Sequence, residues 1–544
     1  MRHRFPWLVG LMMVSIGLLA FSPVPLHAQS AAPLAPFVYY YSENRAAFIV
    51  ERADGSDSRM LASFRLPDDY SPQEIDGPGW SPSGQWFAWN TRAYSDGGSG
   101  TGASPAWVIQ RDGRNQHAFL NGVTGIDKIT WSPVADLLLI QRILSTVANP
   151  LVMQVEIDLY DPATMRYRAL GVGSNSTAHW TADGRFVVIQ PGDSDPLCTV
   201  RIFSVASSSL DTRSFTPDSS CDMWWSGGTA AAFVRAGDKS VVVEDFLDGS
   251  TLLFPIIADS IQHVDWSPDS LYALIYVDHD CPDCQTGRRP VWLLSHPDNR
   301  LVEISQDSDL LNGEVASELH FSSNWSPDSR YALIVTMDEQ PVLVAVAPYR
   351  LTDLSATSDL PTHGVLDPTL IGDWRYGRDQ IGFIWDVQES NSGNIISSSV
   401  YRYNAANSKL AVVITLPGET IHYYAISSDQ RYIAYSTQSI GTDNSDNPIM
   451  LNFRDTATGS TVRVKSIKIN YPNAYTYIPD DFEVTAAFWH PHENWAIIFG
   501  RYHNLRIEPA YLNVVNADLT VQRDIGFNCE VASCFGWLPD LVKY

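Results

Sequence analysis

The stretch NWSPDSRYALIV, from Asn324 to Val335, has a near twin in DWSPDSLYALIY, from Asp265 to Tyr276. Ser-Pro-Asp-Ser is a turn. Pro fixes φ at its second position, Asp accepts backbone amides, and a small residue tolerates the last. The apolar run that follows has the length and pattern of a buried strand. Variants occur along the whole chain: WSPSGQWFAW at Trp80, WSPVADLLLI at Trp131, WTADGRFVVI at Trp180, WSGGTAAAFV at Trp225, WRYGRDQIGFI at Trp374, ISSDQRYIAY at Ile426, WHPHENWAII at Trp489 and WLPD at Trp537. These ten positions are spaced by 41 to 63 residues, about 51 on average. A period of this size with strand-rich composition points to propeller blades.

Each unit reads as four short antiparallel strands, with the Trp at the end of the innermost one, where its flat indole gives neighbouring sheets a surface to pack on. The chain's two ends complement each other. Residues 37–65 read as the later strands of a blade with no Trp turn before them, and CFGWLPDLVKY as an innermost strand with nothing after it. Joining them in one blade closes a ring and removes open sheet edges. The expected fold is therefore an all-β propeller of about ten four-stranded antiparallel blades, over residues 37–544. It follows a short linker, 29–36, and is read as one large ring in preference to two smaller ones.

On these motifs, above all WSPDSRYALIV, WSPDSLYALIY and WSPSGQWFAW, the chain resembles the Trp-Ser-Pro-Asp-Gly repeat of TolB-like propellers, relatives of the WD-repeat proteins. The resemblance covers nearly the whole of residues 37–544. It implies the fold and leaves function open, because the motif is structural. The units at Trp225, Trp374 and Ile426 depart from the pattern and are expected to form irregular blades.

The 544 residues carry 36 Lys and Arg against 61 Asp and Glu, a formal charge of −25. A phosphate backbone would be repelled, so nucleic acid is not expected as a partner. At the N-terminus, Arg2 and Arg4 precede an apolar run from Trp7 to Phe21 and a break at Pro23 to Ala28. This is the pattern of a secretory signal over residues 1–28. The run is short of the ~20 residues that a spanning helix needs, and no membrane span is expected in the mature chain. The protein is thus read as exported: periplasmic, extracellular or at the cell surface. Six cysteines in an exported chain point to disulfides, and the local pairings Cys198–Cys221, Cys281–Cys284 and Cys529–Cys534 are expected among the 15 possible connectivities.

A search for chemistry finds no Gly-x-Ser-x-Gly elbow and no region left over for a hydrolase domain. The Gly97–Gly102 loop, GGSGTG, has no following Lys or helix for a phosphate. Three metal-like patterns fall short. Cys281 and Cys284 in DHDCPDC have no second pair; His490 and His492 replace the Ser and Asp-side positions of a turn read as solvent-exposed; SQDSDLLNGEVASE has Leu311 where a calcium ligand is needed. No cofactor or metal is expected.

Two sets of binding candidates remain. His179, His263, Asp265, His320, Asn324 and Asp373 stand at odd offsets before their unit's Trp. Odd offsets share the strand face opposite that Trp, where they would line the central channel. On the face away from the Trp turns gather the cysteines and the longest insertions: RAYSDGGSGTGASP, 301–320, 351–371 and the Asn470–Asp481 segment. There Tyr471, Tyr475, Tyr477, Asp480 and Asp481 suit a protein or carbohydrate partner. The reading is a non-enzymatic interaction or ligand-recognition scaffold. The alternative is a propeller-type glycosidase or lyase using channel-facing His and Asp as acid and base.

Overall fold

The computed structural model describes residues 34–42, 45, 47–63, 75–91, 106–119, 126–147, 152–192, 198–214, 221, 223–235, 240–257, 260–278, 291–304, 325–335, 341–354, 360–361, 364–366, 379–388, 394–440, 450–463, 482–502, 511–527 and 535–539. The 1–28 signal reading lies outside them.

One repeated set of hydrogen bonds builds the Trp-Ser-Pro-Asp turn. Ser267 Oγ donates to Asp269 Oδ1 (2.7 Å) and accepts the Tyr272 amide (2.9 Å). Asp269 Oδ1 also accepts the Leu271 amide (3.0 Å). The hydroxyl bonds recur at Thr181, Ser326 and Ser427, each with its own Asp and the following aromatic amide. These hydroxyl residues are buried, and so are Ser81 and Ser132. At Asp183, Asp328 and Asp429 burial opposes ionisation, but hydrogen bonds from hydroxyls, amides and neighbouring side chains outweigh it and hold each carboxyl below its ordinary range. Four residues past the Trp the backbone is left-handed, at φ +67° in Gly84, +66° in Gly184, +61° in Ser270 and +60° in Ser329. That is why Gly or a small residue ends the turn. At Gly184 a Cβ would also stand 2.4 Å from Val134 Cγ2 of the preceding blade.

Among the described residues the strands form ten antiparallel sheets. Blade 1 joins Phe535–Trp537 to Phe37–Ser42, Ala47–Arg52 and Arg59–Ser63, so both ends of the chain share a sheet as the sequence predicts. Blades 2 to 6 start from inner strands Ile75–Trp80, Ile126–Trp131, Thr177–Trp180, Trp224–Trp225 and Ser260–Trp266. Blades 8 to 10 start from Gly364–Leu366, Glu419–Ile426 and Phe482–Trp489. Among the described residues blade 7 shows three strands, Tyr331–Val335, Pro341–Val346 and Tyr349–Asp353, with Trp325 meeting Ala332 in a single bridge. The Ile426 unit, expected to be irregular, forms a full four-stranded blade, because its Ser427–Asp429 turn is intact. The Trp225 unit keeps only two residues of inner strand.

Each sheet lays both faces on its neighbours. Consecutive blades share a hydrophobic cluster at every seam from 1–2 to 9–10, and blade 10 packs on blade 1 through Phe488 and Phe535 (5.5 Å) and His490 and Trp537 (5.1 Å). An ionic clasp crosses that last seam. Arg523 pairs with the buried Glu51 and donates to the Arg52 carbonyl (3.1 Å), while the Tyr40 hydroxyl donates to Glu51 (2.8 Å). The ten sheets thus form one closed series.

The motif Trp does more than fill space. Its indole N–H donates to the carbonyl just before the preceding blade's motif Trp (or Ile426). The bonds are Trp131 to Gly79 (2.9 Å), Trp180 to Thr130 (3.3 Å), Trp266 to Trp224 (3.1 Å), Trp325 to Asp265 (3.1 Å), Trp489 to Ala425 (3.1 Å) and Trp537 to Phe488 (3.0 Å). Each is worth about 1 kcal/mol net, and more where its loss leaves a buried polar atom. Among the described motif tryptophans, Trp80 and Trp225 are the exceptions: their indole N–H groups are buried without a partner.

Candidate functional site

Alternation along an inner strand sorts side chains between the two neighbouring blades. Ala178 and Trp180 pack towards blade 3. His179, between them, pairs across the sheet with Val188, which packs towards blade 5. The alternation also has a limit. In blades 3, 6, 9 and 10 a β-bulge leaves out the residue four before the motif position, namely Asp127, Gln262, His422 and Thr485. Parity therefore holds only back to the third residue, because a bulge resets which face the next side chain takes.

Of the channel candidates, His179, His263 and Asp265 are described; His320, Asn324 and Asp373 lie outside the described residues. So do Tyr471, Tyr475, Tyr477, Asp480 and Asp481, and the cysteines 281, 284, 529 and 534. The three that are described gather on blades 4 and 6, with Trp224 and Trp225 of blade 5 between them. The His179 ring lies 5.6 Å from the Trp225 ring, and the His263 ring 5.2 Å from Trp224 and 5.9 Å from Tyr276. Tyr276 is buried, and burial, aided by the nearby Asp265 charge, pushes its phenol upward.

His179 is held by a directed chain. Thr177 Oγ1 donates to Gln190 Oε1 (3.1 Å), which points the Gln190 amide nitrogen at His179 Nδ1 (3.0 Å). Since Nδ1 accepts, the proton of the neutral ring sits on Nε2. That nitrogen is buried and has no hydrogen-bond partner. Burial, with a smaller contribution from the Lys128 ammonium, lowers the His179 pKa from 6.5 to about 4, so the ring is neutral at pH 7. Burial also lowers the pKa of His263. The arrangement offers fixed N–H donors and aromatic faces, and it can orient an acceptor. A ring this weakly basic is poorly suited to taking a proton at neutral pH.

The Cys198–Cys221 disulfide is formed, with Cα atoms 5.5 Å apart. Cys198 precedes the third strand of blade 4 and Cys221 the inner strand of blade 5, so it staples the same seam. His490 corrects an expectation: it is buried, because the hydroxyl residue it replaces is buried in the other turns, and its Nδ1 accepts the His492 and Glu493 amides (3.2 and 3.1 Å). Sequence reasoning missed Gln190, Trp225 and Lys128. The available signal was Trp225's departure from the motif, in a WSGG turn with no Asp.

No family model and no curated protein matches the chain. Solved structures do. A eukaryotic initiation factor has 11% identity over 93% of this chain and 98% of its own, with a TM-score of 0.48. An oligogalacturonate lyase in complex with manganese has 10% identity over 89% and 96%, with a TM-score of 0.33. The tricorn protease has 10% identity over 89% of this chain and 52% of its own, with a TM-score of 0.31. At these values neither activity nor partner carries over. The ten sheets themselves establish the ten-bladed β-propeller; the TolB-like resemblance rests on the motifs alone.

Proposed function

We propose that this chain is an exported, non-enzymatic recognition propeller that binds a ligand at the inner edge of blades 4 to 6, with the long-loop face as a further contact for a protein or carbohydrate. The observation that carries this reading is the Thr177–Gln190–His179 chain. It uses two side chains to fix one imidazole in a single tautomer, leaving a bare N–H on a ring 5.6 Å from that of Trp225. Orientation of that kind serves binding. The Cys198–Cys221 bond fits an oxidising compartment, and among the described residues no helix is long and apolar enough to cross a membrane. The test is a thermal-shift screen of small anions, sugars and oligosaccharides against wild type and His179→Phe. Stabilisation that grows with ligand concentration, is lost in the variant and leaves the ligand chemically unchanged supports recognition. Turnover of a probe that is abolished by His263→Ala would overturn it in favour of a glycosidase or lyase.

A further inference from the structure

Four outer strands carry an arginine turned towards the following blade. Arg168, Arg213 and Arg59 pair across their sheets with Leu159, Val200 and Val50, which pack on that next blade, and paired residues share a face. Arg523 is the cation of the closing clasp. Three of the four are consumed by the next blade, each donating to a carbonyl in the turn between its third and fourth strands. Arg168 donates to Ser208 (2.5 Å), Arg213 to Leu247 (3.0 Å) and Arg523 to Ala53 (3.4 Å). The fourth, Arg59, is exposed and makes no hydrogen bond or ion pair among the described residues.

Between Arg59 and the corresponding turn of blade 2 lies a cleft of about 270 Å³, lined by Arg59, Gln85, Gln110, Arg111 and Asp112. Backbone contacts fix its walls. The Arg111 amide donates to the Gln85 carbonyl (2.7 Å) and the Gly113 amide to the Gln110 carbonyl (2.8 Å). A Cβ on Gly113 would stand 3.4 Å from the Leu61 carbonyl, so the turn lies against the outer strand that carries Arg59. Arg111 is anchored, with Nη1 donating to the carbonyls of Gly84 (3.3 Å) and Pro539 (2.8 Å). Gln110 Oε1 accepts from Asn115 (2.9 Å), which leaves its amide N–H groups to donate. Asp112 Oδ1 accepts the Arg114 amide (2.9 Å), while Oδ2 lies 3.6 Å from the exposed Arg114 guanidinium. Arg59, Gln85 and Asp112 are all open to solvent, so a ligand can reach them.

Two guanidiniums against one carboxylate give this lining one net positive charge in a chain of −25. The matching ligand carries one negative charge. A guanidinium fork suits a planar carboxylate, and two amides with a carboxylate suit hydroxyls, for which they both donate and accept. The volume is just under the range of about 300–1,000 Å³ that encloses drug-sized ligands, which fits a single small ring. We propose that this cleft is a recognition site for a small polyhydroxylated monocarboxylate, the chemistry of a sugar acid. Arg59 takes the carboxylate, Gln85, Gln110 and Asp112 take hydroxyls, and the anchored Arg111 offsets the charge of Asp112. The site is separate from the inner edge of blades 4 to 6, and the two readings stand or fall independently.

The experiment is titration calorimetry on the full chain with sodium D-glucuronate at neutral pH and constant ionic strength, with D-glucose and sodium acetate as separate arms. The expected result is saturable binding of glucuronate, weakened about tenfold in Arg59→Gln, which loses the charged fork, and only partly restored in Arg59→Lys. Glucose and acetate, each holding half of the required chemistry, are expected to bind at least tenfold more weakly. Equal binding of glucose would overturn the role of Arg59 as carboxylate receptor. Equal binding of acetate would overturn the hydroxyl contacts and reduce the cleft to a simple anion site. Glucuronate binding that Arg59→Gln leaves unchanged would place the ligand elsewhere on the molecule, and no binding in any arm would overturn the proposal outright; neither result touches the inner-edge reading.

Discussion

Two seams of the ring solve the same packing problem differently. Between blades 6 and 7, Trp325 is buried, donates to the Asp265 carbonyl (3.1 Å) and sits in a cluster with Leu274, Leu293 and Val344. Between blades 4 and 5, Trp225 is only partly buried, its indole bond is missing, and the seam is stapled by Cys198–Cys221 while His179 and Trp225 keep unspent donors. The first seam spends its polar groups on cohesion. The second is held covalently and leaves its two donors without partners.

The comparison can be broken at several levels. The largest effect is expected from truncating the motif indole: Trp325→Ala should cost about 3–5 kcal/mol in denaturant unfolding, and Trp225→Ala about 2 kcal/mol, because the disulfide persists and less surface is lost. Equal costs would mean that the seams do not differ. At the closing seam, Arg523→Met leaves Glu51 buried without its cation and should cost about 3 kcal/mol, measured in the same way. Cys198→Ser with Cys221→Ser should cost about 3 kcal/mol, with faster amide exchange confined to Thr177–Gln190 and Trp224–Val234. Exchange spread evenly round the ring would show that the bond is not what holds that seam.

Trp325→Phe removes a satisfied donor and should cost about 1–2 kcal/mol beyond Trp225→Phe, which removes an unsatisfied one; a reversed order would show that Trp225 has an acceptor. The smallest effect is a response to pH. A histidine whose folded pKa is lowered to about 4 binds fewer protons than the unfolded chain between that value and 6.5. Its contribution is therefore in place above 6.5 and is lost as pH falls towards 4, amounting to about 1 kcal/mol by pH 5.5. The difference between wild type and His179→Phe across that range measures it.

The repeat was legible because the chemistry that makes it is local. A hydroxyl, a proline, a carboxylate and a left-handed residue within five positions leave a mark that survives changes in every neighbour. Ring closure was legible for a related reason: the two ends were complementary fragments of one pattern. The seams were not, because the partner of each indole lies about fifty residues away and depends on how twisted sheets meet. The channel candidates show the same limit. Counting offsets put His179 on the face away from Trp180 and read that face as channel, but a blade turns both faces to other blades, and the His179 ring lies beside Trp225. His490 misled because the turn was read as exposed from its sequence, whereas the position after the motif Trp points inward in blade after blade.

The strand pairing in blade 1 bears on how the molecule is made. Phe37–Ser42 precedes the other described strands, and its inner partner, Phe535–Trp537, follows all of them. Until the two pair, blade 1 presents an open edge and the ring remains an arc. Closure is thus the most sequence-distant strand pairing among the described residues, slow by its loop entropy, while the intervening blades can stack on one another locally. Without Phe535–Trp537 the Phe37–Ser42 edge is left open for other strands to pair with.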